Sequence, residues 1–92
     1  MKNIITKEKV EKYLAISSKA FEIAKSSIVK SKKKEAKEIL IIVKCYLNDS
    51  MFFMNKKDYV NAFACINYSH GWLDCGARLK IFYVKDNRLF SV

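Results

Sequence analysis

The chain has 92 residues, of which 51% are hydrophobic, with only two glycines and no proline. This length provides one domain with one core, and the scarcity of turn-forming residues excludes a β-sandwich or β-barrel. Sixteen lysines and two arginines oppose nine acidic residues, and the resulting net charge of +9 directs attention to anionic partners.

The first predicted helix covers residues 6–29. Thr6 is a suitable N-cap, because its side-chain oxygen can accept a backbone N–H of the first turn. Apolar and small residues then recur at intervals of three and four, as on an amphipathic helix with one buried stripe. The residues of this stripe are Val10, Tyr13, Leu14, Ser17, Ala20, Phe21, Ala24 and Ile28.

The second predicted helix covers residues 33–54, and the third covers residues 56–80. Both carry apolar residues on more of their circumference than one neighbour can cover, the third on nearly all of it, so we expect each to contact several helices. Residues 81–92 form a tail with two β-favouring runs around Asp86 and Asn87, which favours either an extended segment or a hairpin.

These elements predict an all-α protein with a single domain over residues 1–92, built as an antiparallel three-helix bundle with a short C-terminal extended or hairpin tail. The surplus apolar surface indicates association into a larger helical bundle, most simply as a homodimer. Aromatic residues are enriched in such interfaces, and the interface candidates are Phe52, Tyr68 and Trp72.

The third helix carries a motif of Tyr68, His70, Gly71, Trp72, Leu73, Asp74 and Gly76. This motif resembles the archaeal family catalogued as domain of unknown function 357, in which alanine is more usual at the position of Cys75. Asp58 and Ala62 before the motif, and Leu79 and Phe82 after it, extend the resemblance. The resemblance implies a compact helical bundle without an assigned activity, and it transfers no catalytic residue.

One polar strip of the third helix is the best chemical candidate in the sequence. It consists of Asn67, His70, Gly71, Asp74 and Arg78. A carboxylate four residues after a histidine can orient the imidazole, which could then contact a small anionic or nucleotide-like ligand. The alternative is structural: the same residues form a line of hydrogen bonds that fixes the helix against its neighbours. No nucleophile or second carboxylate accompanies the strip, so no catalytic residue is assigned.

The segment Lys25 to Lys37 contains six lysines and a single acid, Glu35. Clustered cations bind polyanions through counterion release, so nonspecific binding of nucleic acid or another polyanion is an alternative function. The lysines concerned are Lys30, Lys32, Lys33, Lys34 and Lys37. A solvated turn explains the same run, because no aromatic residue lies within it to stack on bases.

No cofactor or metal is implied by the sequence. The three cysteines are odd in number and form no CxxC pair, so we expect free thiols packed inside helices. No secretory leader precedes Thr6, and the longest aliphatic run, Ile39 to Val43, is far below the ~20 residues of a membrane span. We therefore expect a cytoplasmic interaction or accessory module that does not bind membranes and whose protein partner is unknown.

Overall fold

Three long helices make up most of the chain. The computed structural model describes residues 4–92, and its helices are α1 (Lys7–Lys25), α2 (Lys33–Asn55) and α3 (Tyr59–Arg78). A single 3₁₀ turn at Lys30–Lys32 precedes α2, and the described residues contain no β-strand. The predicted all-α class and three-helix bundle are confirmed. None of the described helices combines the length and apolarity that a membrane crossing requires.

Side-chain caps and left-handed residues set the ends of the helices. Thr6 Oγ1 accepts the Lys9 N–H at 3.2 Å, and Asp58 Oδ1 accepts the Asn61 N–H at 3.2 Å. Each such cap is worth about 1 kcal/mol. Lys57 has φ 59°, the left-handed conformation that commonly ends a helix. The third helix therefore starts at Tyr59, whereas the sequence predicts a start at residue 56.

The core consists of two clusters at opposite ends of the bundle. One contains the last turns of α1 and α3 and the first turns of α2, including Ala24, Ala36 and Leu73. The other contains Val10 of α1 with Ala62 and Ile66 of α3, against which Phe53 of α2 packs. This arrangement makes α1 and α3 parallel and α2 antiparallel to both.

The C-terminal tail is extended and completes the core. Ile81, Phe82 and Phe90 are buried, and the Ile28–Phe82 pair forms an isolated antiparallel bridge. Two backbone bonds make this bridge, from the Val29 N–H to the Ile81 carbonyl at 2.9 Å and from the Tyr83 N–H to the Ser27 carbonyl at 2.7 Å. Because residues 27–29 pair with the tail, α1 ends at Lys25 instead of residue 29. The predicted alternative of a hairpin does not form.

The two glycines of α3 have different surroundings. A Cβ atom built on Gly76 would lie 2.5 Å from Cε2 of Phe82 and 3.3 Å from Cδ1 of Ile39. A Cβ atom on Gly71 would meet nothing within 4 Å. Gly76 is therefore required by the packing of the tail, whereas no neighbour within the chain requires Gly71.

The expectation that α3 is covered on nearly its whole circumference is wrong for the single chain. The helix packs against α1, α2 and the tail, but its outer side is open to solvent. Val60 is 65% exposed and Tyr68 is 52% exposed. Any cover for this side has to come from another molecule.

Alanine substitution at the two glycines should change stability in opposite directions. Gly76→Ala should lower the free energy of unfolding by about 1–3 kcal/mol, because the new methyl group overpacks the buried Phe82 ring. Gly71→Ala should raise it by up to about 1 kcal/mol, the difference in helix propensity. Urea denaturation monitored by circular dichroism in dilute solution measures both. Equal effects at the two positions would contradict the packing at Gly76.

Candidate functional site

His70 holds α3, α1 and the tail together. Its Nδ1 lies 2.9 Å from Oγ of Ser17 on α1, and its Nε2 lies 2.7 Å from the Leu89 carbonyl oxygen. A carbonyl can only accept, so Nε2 carries a proton, and in the neutral imidazole Nδ1 accepts from the Ser17 hydroxyl. Both ring nitrogens are therefore engaged, and neither is free to act on a ligand.

Asp74 binds the next part of the tail. Its Oδ1 accepts the Ser91 backbone N–H at 2.8 Å, and it lies 3.6 Å from His70 Nε2. Histidine and aspartate, four residues apart, thus face the tail one helical turn from each other. We call Ser17, His70, Asp74 and the backbone of Leu89 and Ser91 the tail clasp. This geometry corresponds to the structural alternative considered for the polar strip.

A turn precedes the clasp and presents Leu89 to it. The Phe90 N–H donates to the Asp86 carbonyl at 3.0 Å, and the Arg88 N–H donates to Asp86 Oδ1 at 2.9 Å. The backbone and then the side chain of Arg88 lower the pKa of the Asp86 carboxyl. Because the pKa of Asp86 is lowered in the folded state, its ionised carboxylate stabilises the fold. This stabilisation is complete above the ordinary pKa of aspartate and is lost as the pH falls through the lowered pKa.

The other members of the polar strip take no part in the clasp. Asn67 and Gly71 are exposed and line a cleft of about 530 Å³ between α1 and α3, and Ser17, His70 and Asp74 of the clasp line the same cleft. Lys12, Tyr13 and Arg88 also border it. Arg78 lies elsewhere, in a depression beside the tail that Tyr83 also lines. No ion pair or hydrogen bond joins Arg78 to Asp74 in residues 4–92. Four members of the strip thus line one cleft, and Arg78 lies on a separate surface.

A second surface with exposed side chains is aromatic. The rings of Tyr46 on α2 and Tyr68 on α3 have centroids 4.6 Å apart, and Tyr68 meets Trp72 edge to face at 6.3 Å. Tyr68, Gly71, Trp72 and Cys75 line an open, mainly apolar groove of about 410 Å³. We call this surface the α3 groove. Aromatic rings beside a bare glycine provide both a protrusion and a depression.

Phe52 does not belong to the α3 groove. It is 55% exposed near the end of α2, where its ring meets Phe53, and the Lys56 ammonium lies 5.1 Å from its centroid. Tyr46, which the sequence had not singled out for an interface, is the α2 residue that contacts Tyr68. At helical spacing an aromatic residue on α2 fits core packing as well as an interface, so spacing alone could not predict the contact of Tyr46 with Tyr68.

A third surface lies between α1 and α2 and is basic. Lys33 and Lys37 of the lysine run line a groove of about 350 Å³ with Lys25, Lys44 and Phe21. Ile28, Leu40 and Ile41 complete its lining. We call it the lysine groove. Lys30, Lys32 and Lys34 are exposed but do not line it. Folding therefore adds an aromatic ring, Phe21, and one further lysine, Lys44, to a run that contains no aromatic residue.

Comparison with known families gives one match. The model of the family described as "Protein of unknown function (DUF357)" matches residues 12–82, more than three quarters of the chain. The chain belongs to this family. The family description assigns no activity. No curated protein and no solved structure matches the chain.

The DUF357 match divides the three surfaces unequally. The α3 groove and the lysine groove lie wholly within residues 12–82. The tail clasp extends beyond this range, because Leu89 and Ser91 follow Phe82. The motif that resembles the family contributes to two of these surfaces. His70 and Asp74 belong to the tail clasp, while Tyr68, Gly71 and Trp72 line the α3 groove.

The cysteines differ from the expectation of packed thiols. Cys45 and Cys75 are exposed, and only Cys65 is partly buried. Burial and the neighbouring charge of Asp49 raise the pKa of the Cys65 thiol. Among the described residues, no group of three or more His, Cys, Asp and Glu side chains is placed to hold a metal ion.

Thiol reactivity should follow the exposure of the cysteines. At pH 8 the Cys65 thiol should react with an aromatic disulfide reagent at least several-fold more slowly than the Cys45 thiol, because the thiolate is the nucleophile and is less populated at Cys65. Single-cysteine variants, with the other two cysteines changed to serine, separate the two rates. Equal rates would contradict the assigned burial of Cys65.

Loss of the clasp should release the tail. His70→Ala leaves the buried Ser17 hydroxyl without its partner, which costs about 1–3 kcal/mol. Trypsin should then cleave after Lys85 and Arg88 faster than in the unmodified protein, as mass spectrometry can follow. Asn67→Ala, an exposed change on the same helix, is the matched control and should leave the cleavage rate unchanged. Equal cleavage of both variants would mean that His70 does not hold the tail.

Proposed function

We propose that this protein is a helical interaction module that forms a homodimer through the α3 groove and the adjoining side of α2. The observation that carries the proposal is the cluster of the exposed Tyr68 and the half-buried Tyr46 and Trp72 beside the exposed Gly71. Exposed aromatic clusters of this kind mark protein interfaces. A two-fold contact uses the same patch on both copies, so a patch with both a protrusion and a depression is suited to it.

Gly71 supports close approach at this surface. Glycine inside a helix costs about 1 kcal/mol relative to alanine. Within the chain nothing contacts the position where its Cβ would lie. A neighbouring molecule packed on the bare backbone would offset this cost, as small residues do where helices approach closely.

The distribution of charge favours a second copy on this side. Two chains of net charge +9 repel each other, yet α3 contains no lysine. On α2, Asp49 acts electrostatically on Cys65 of α3 and so lies on the side towards this helix. Glu35, Glu38, Tyr46 and Asp49 recur at helical spacing along that side. The α3 part of this side therefore brings no lysine of one copy against a lysine of the other.

The available area is sufficient for a dimer. Two helices about 30 Å long and about 9 Å apart present a face of roughly 600 Å² before side-chain relief is counted. A standard interface buries about 800 Å² per partner, and weaker ones bury less. Facing α2–α3 pairs from two copies would form a four-helix arrangement, the larger bundle expected from the sequence.

Sedimentation velocity over a concentration series tests the dimer. Gly71→Gln should weaken association at least tenfold, because the chain leaves open space for the new side chain while a partner at close range would not. Tyr68→Glu should act in the same direction by placing a charge in the apolar groove. The emission of the single tryptophan, Trp72, should shift to shorter wavelength as the dimer forms.

Phe52→Ser is the matched control for this experiment. It removes an equally exposed aromatic ring outside the α3 groove and should leave association unchanged. A protein that remains monomeric at several hundred micromolar would contradict the proposal. Equal weakening by Phe52→Ser would place the interface elsewhere.

Binding of a small anionic ligand by His70 and Asp74 is less favoured. Both imidazole nitrogens already have partners, and the Asp74 carboxylate accepts from the tail. A ligand in the cleft that His70 and Asp74 line would have to compete with these existing hydrogen bonds.

A further inference from the structure

The lysine groove combines two properties that usually occur apart. Its lining contains four apolar side chains, Phe21, Ile28, Leu40 and Ile41, and Ile41 is 51% exposed. Four lysines border the same space: Lys25, Lys33, Lys37 and Lys44. Apolar surface favours an apolar occupant, whereas the border favours an anionic one. A single occupant that satisfies both must carry carboxylates beside apolar side chains.

The positive charge of this groove has little internal compensation. Lys25 lies 3.5 Å from the Glu22 carboxylate and 5.5 Å from the Phe21 ring centroid. In the part of the chain that the structure describes, no ion pair joins an acid to Lys33, Lys37 or Lys44. These three lysines follow one side of α2 at spacings of four and seven residues, so their charges point along a common line.

The groove has the form of a site for one more helix. It lies between α1 and α2, which contact each other less than either contacts α3. From Lys33 to Lys44 it extends over about 16 Å, or three helical turns. An amphipathic helix places apolar residues into such a groove at positions i, i+3, i+4 and i+7 and presents its flanks to the border. Glutamates on those flanks would meet the lysines.

From these observations the geometry points to a binding site for an acidic amphipathic helix of another protein, which would lie between α1 and α2. The lysine run predicted nonspecific binding of polyanions, but a nucleic acid would leave the apolar lining unused. The occupant that uses both the floor and the border is a helical segment bearing Leu or Ile and Glu or Asp.

The direct test uses a designed peptide. An 18-residue peptide with leucine at i, i+3, i+4 and i+7 and glutamate on the flanking positions, labelled with fluorescein, is titrated with the protein and followed by fluorescence anisotropy. A scrambled peptide of identical composition has the same charge without the apolar stripe. We expect the patterned peptide to bind at least tenfold more tightly than the scrambled one and to gain helical circular dichroism on binding.

Two kinds of variant separate the two properties of the groove. Lys37→Glu together with Lys44→Glu should raise the peptide dissociation constant at least tenfold, and Ile41→Gln should raise it at least threefold without changing the charge. Lys7→Glu together with Lys80→Glu makes the same charge change away from the groove and should alter it less than twofold. All titrations are repeated in the Gly71→Gln background, so that a failure of the dimer and a failure of this site are read separately.

Several results would overturn the assignment. Equal binding of the scrambled peptide, or competition by heparin or an 18-nucleotide RNA that Ile41→Gln does not affect, would indicate general polyanion binding instead. Binding to vesicles of anionic phospholipid that depends on Ile41, without binding of the patterned peptide, would indicate a lipid surface. Concentration-dependent polymers that Lys37→Glu with Lys44→Glu dissolves would indicate a second copy as the occupant.

Discussion

The contact between Phe82 and Gly76 governs how the rest of the chain is arranged. A Cβ at Gly76 would overlap the Phe82 ring, so the glycine is what lets the tail enter the core at the end of α3. Once Phe82 is buried, Ile81 and Tyr83 pair with residues 27–29, and this pairing ends α1. The tail then continues along α1 and α3 to the clasp. The space beside these helices is thereby filled by the chain itself.

Once the tail is packed, two partly apolar surfaces remain exposed, one on each side of α2. On the side next to α3 lie the aromatic rings, Gly71 and the acidic residues of α2. On the side next to α1 lie the lysines and the apolar floor. The sequence of α2 produces this division through its spacing, because acids and lysines recur at three and four residues on separate faces. Charge thus distinguishes two surfaces that are both partly apolar.

Periodicity predicted the helices because their burial is governed by spacing along one element. It also predicted the Thr6 cap, whose partner lies three residues away. Periodicity could not predict the tail clasp, because Leu89 lies 19 residues from His70 and Ser17 lies 53 residues from His70. The polar strip therefore suggested both a pocket and a structural line, and in the fold His70 and Asp74 bind the tail and also line a cleft.

Two further features of the candidate sites could not be predicted from the sequence. Gly71 and Gly76 have the same cost inside a helix, and only their neighbours show that one accommodates Phe82 and the other faces open space. The lysine run gave the position of the positive charge, but Phe21 and Lys44 reach it from other turns of the bundle. Helix spacing fixes which residues share a face, whereas the partner of that face is a tertiary property.

The separation of the two surfaces has a consequence for their combined action. Since the α3 groove and the lysine groove lie on opposite sides of α2, a dimer formed through the first leaves the second open on each copy. Such a dimer would present two helix-binding grooves directed away from the interface. A partner with two acidic helices could then engage both, and the second contact would be favoured by the effective concentration that the first creates. Dimerisation would in this way increase the avidity of the lysine groove, whose proposed contacts through solvent-exposed lysines would each be weak.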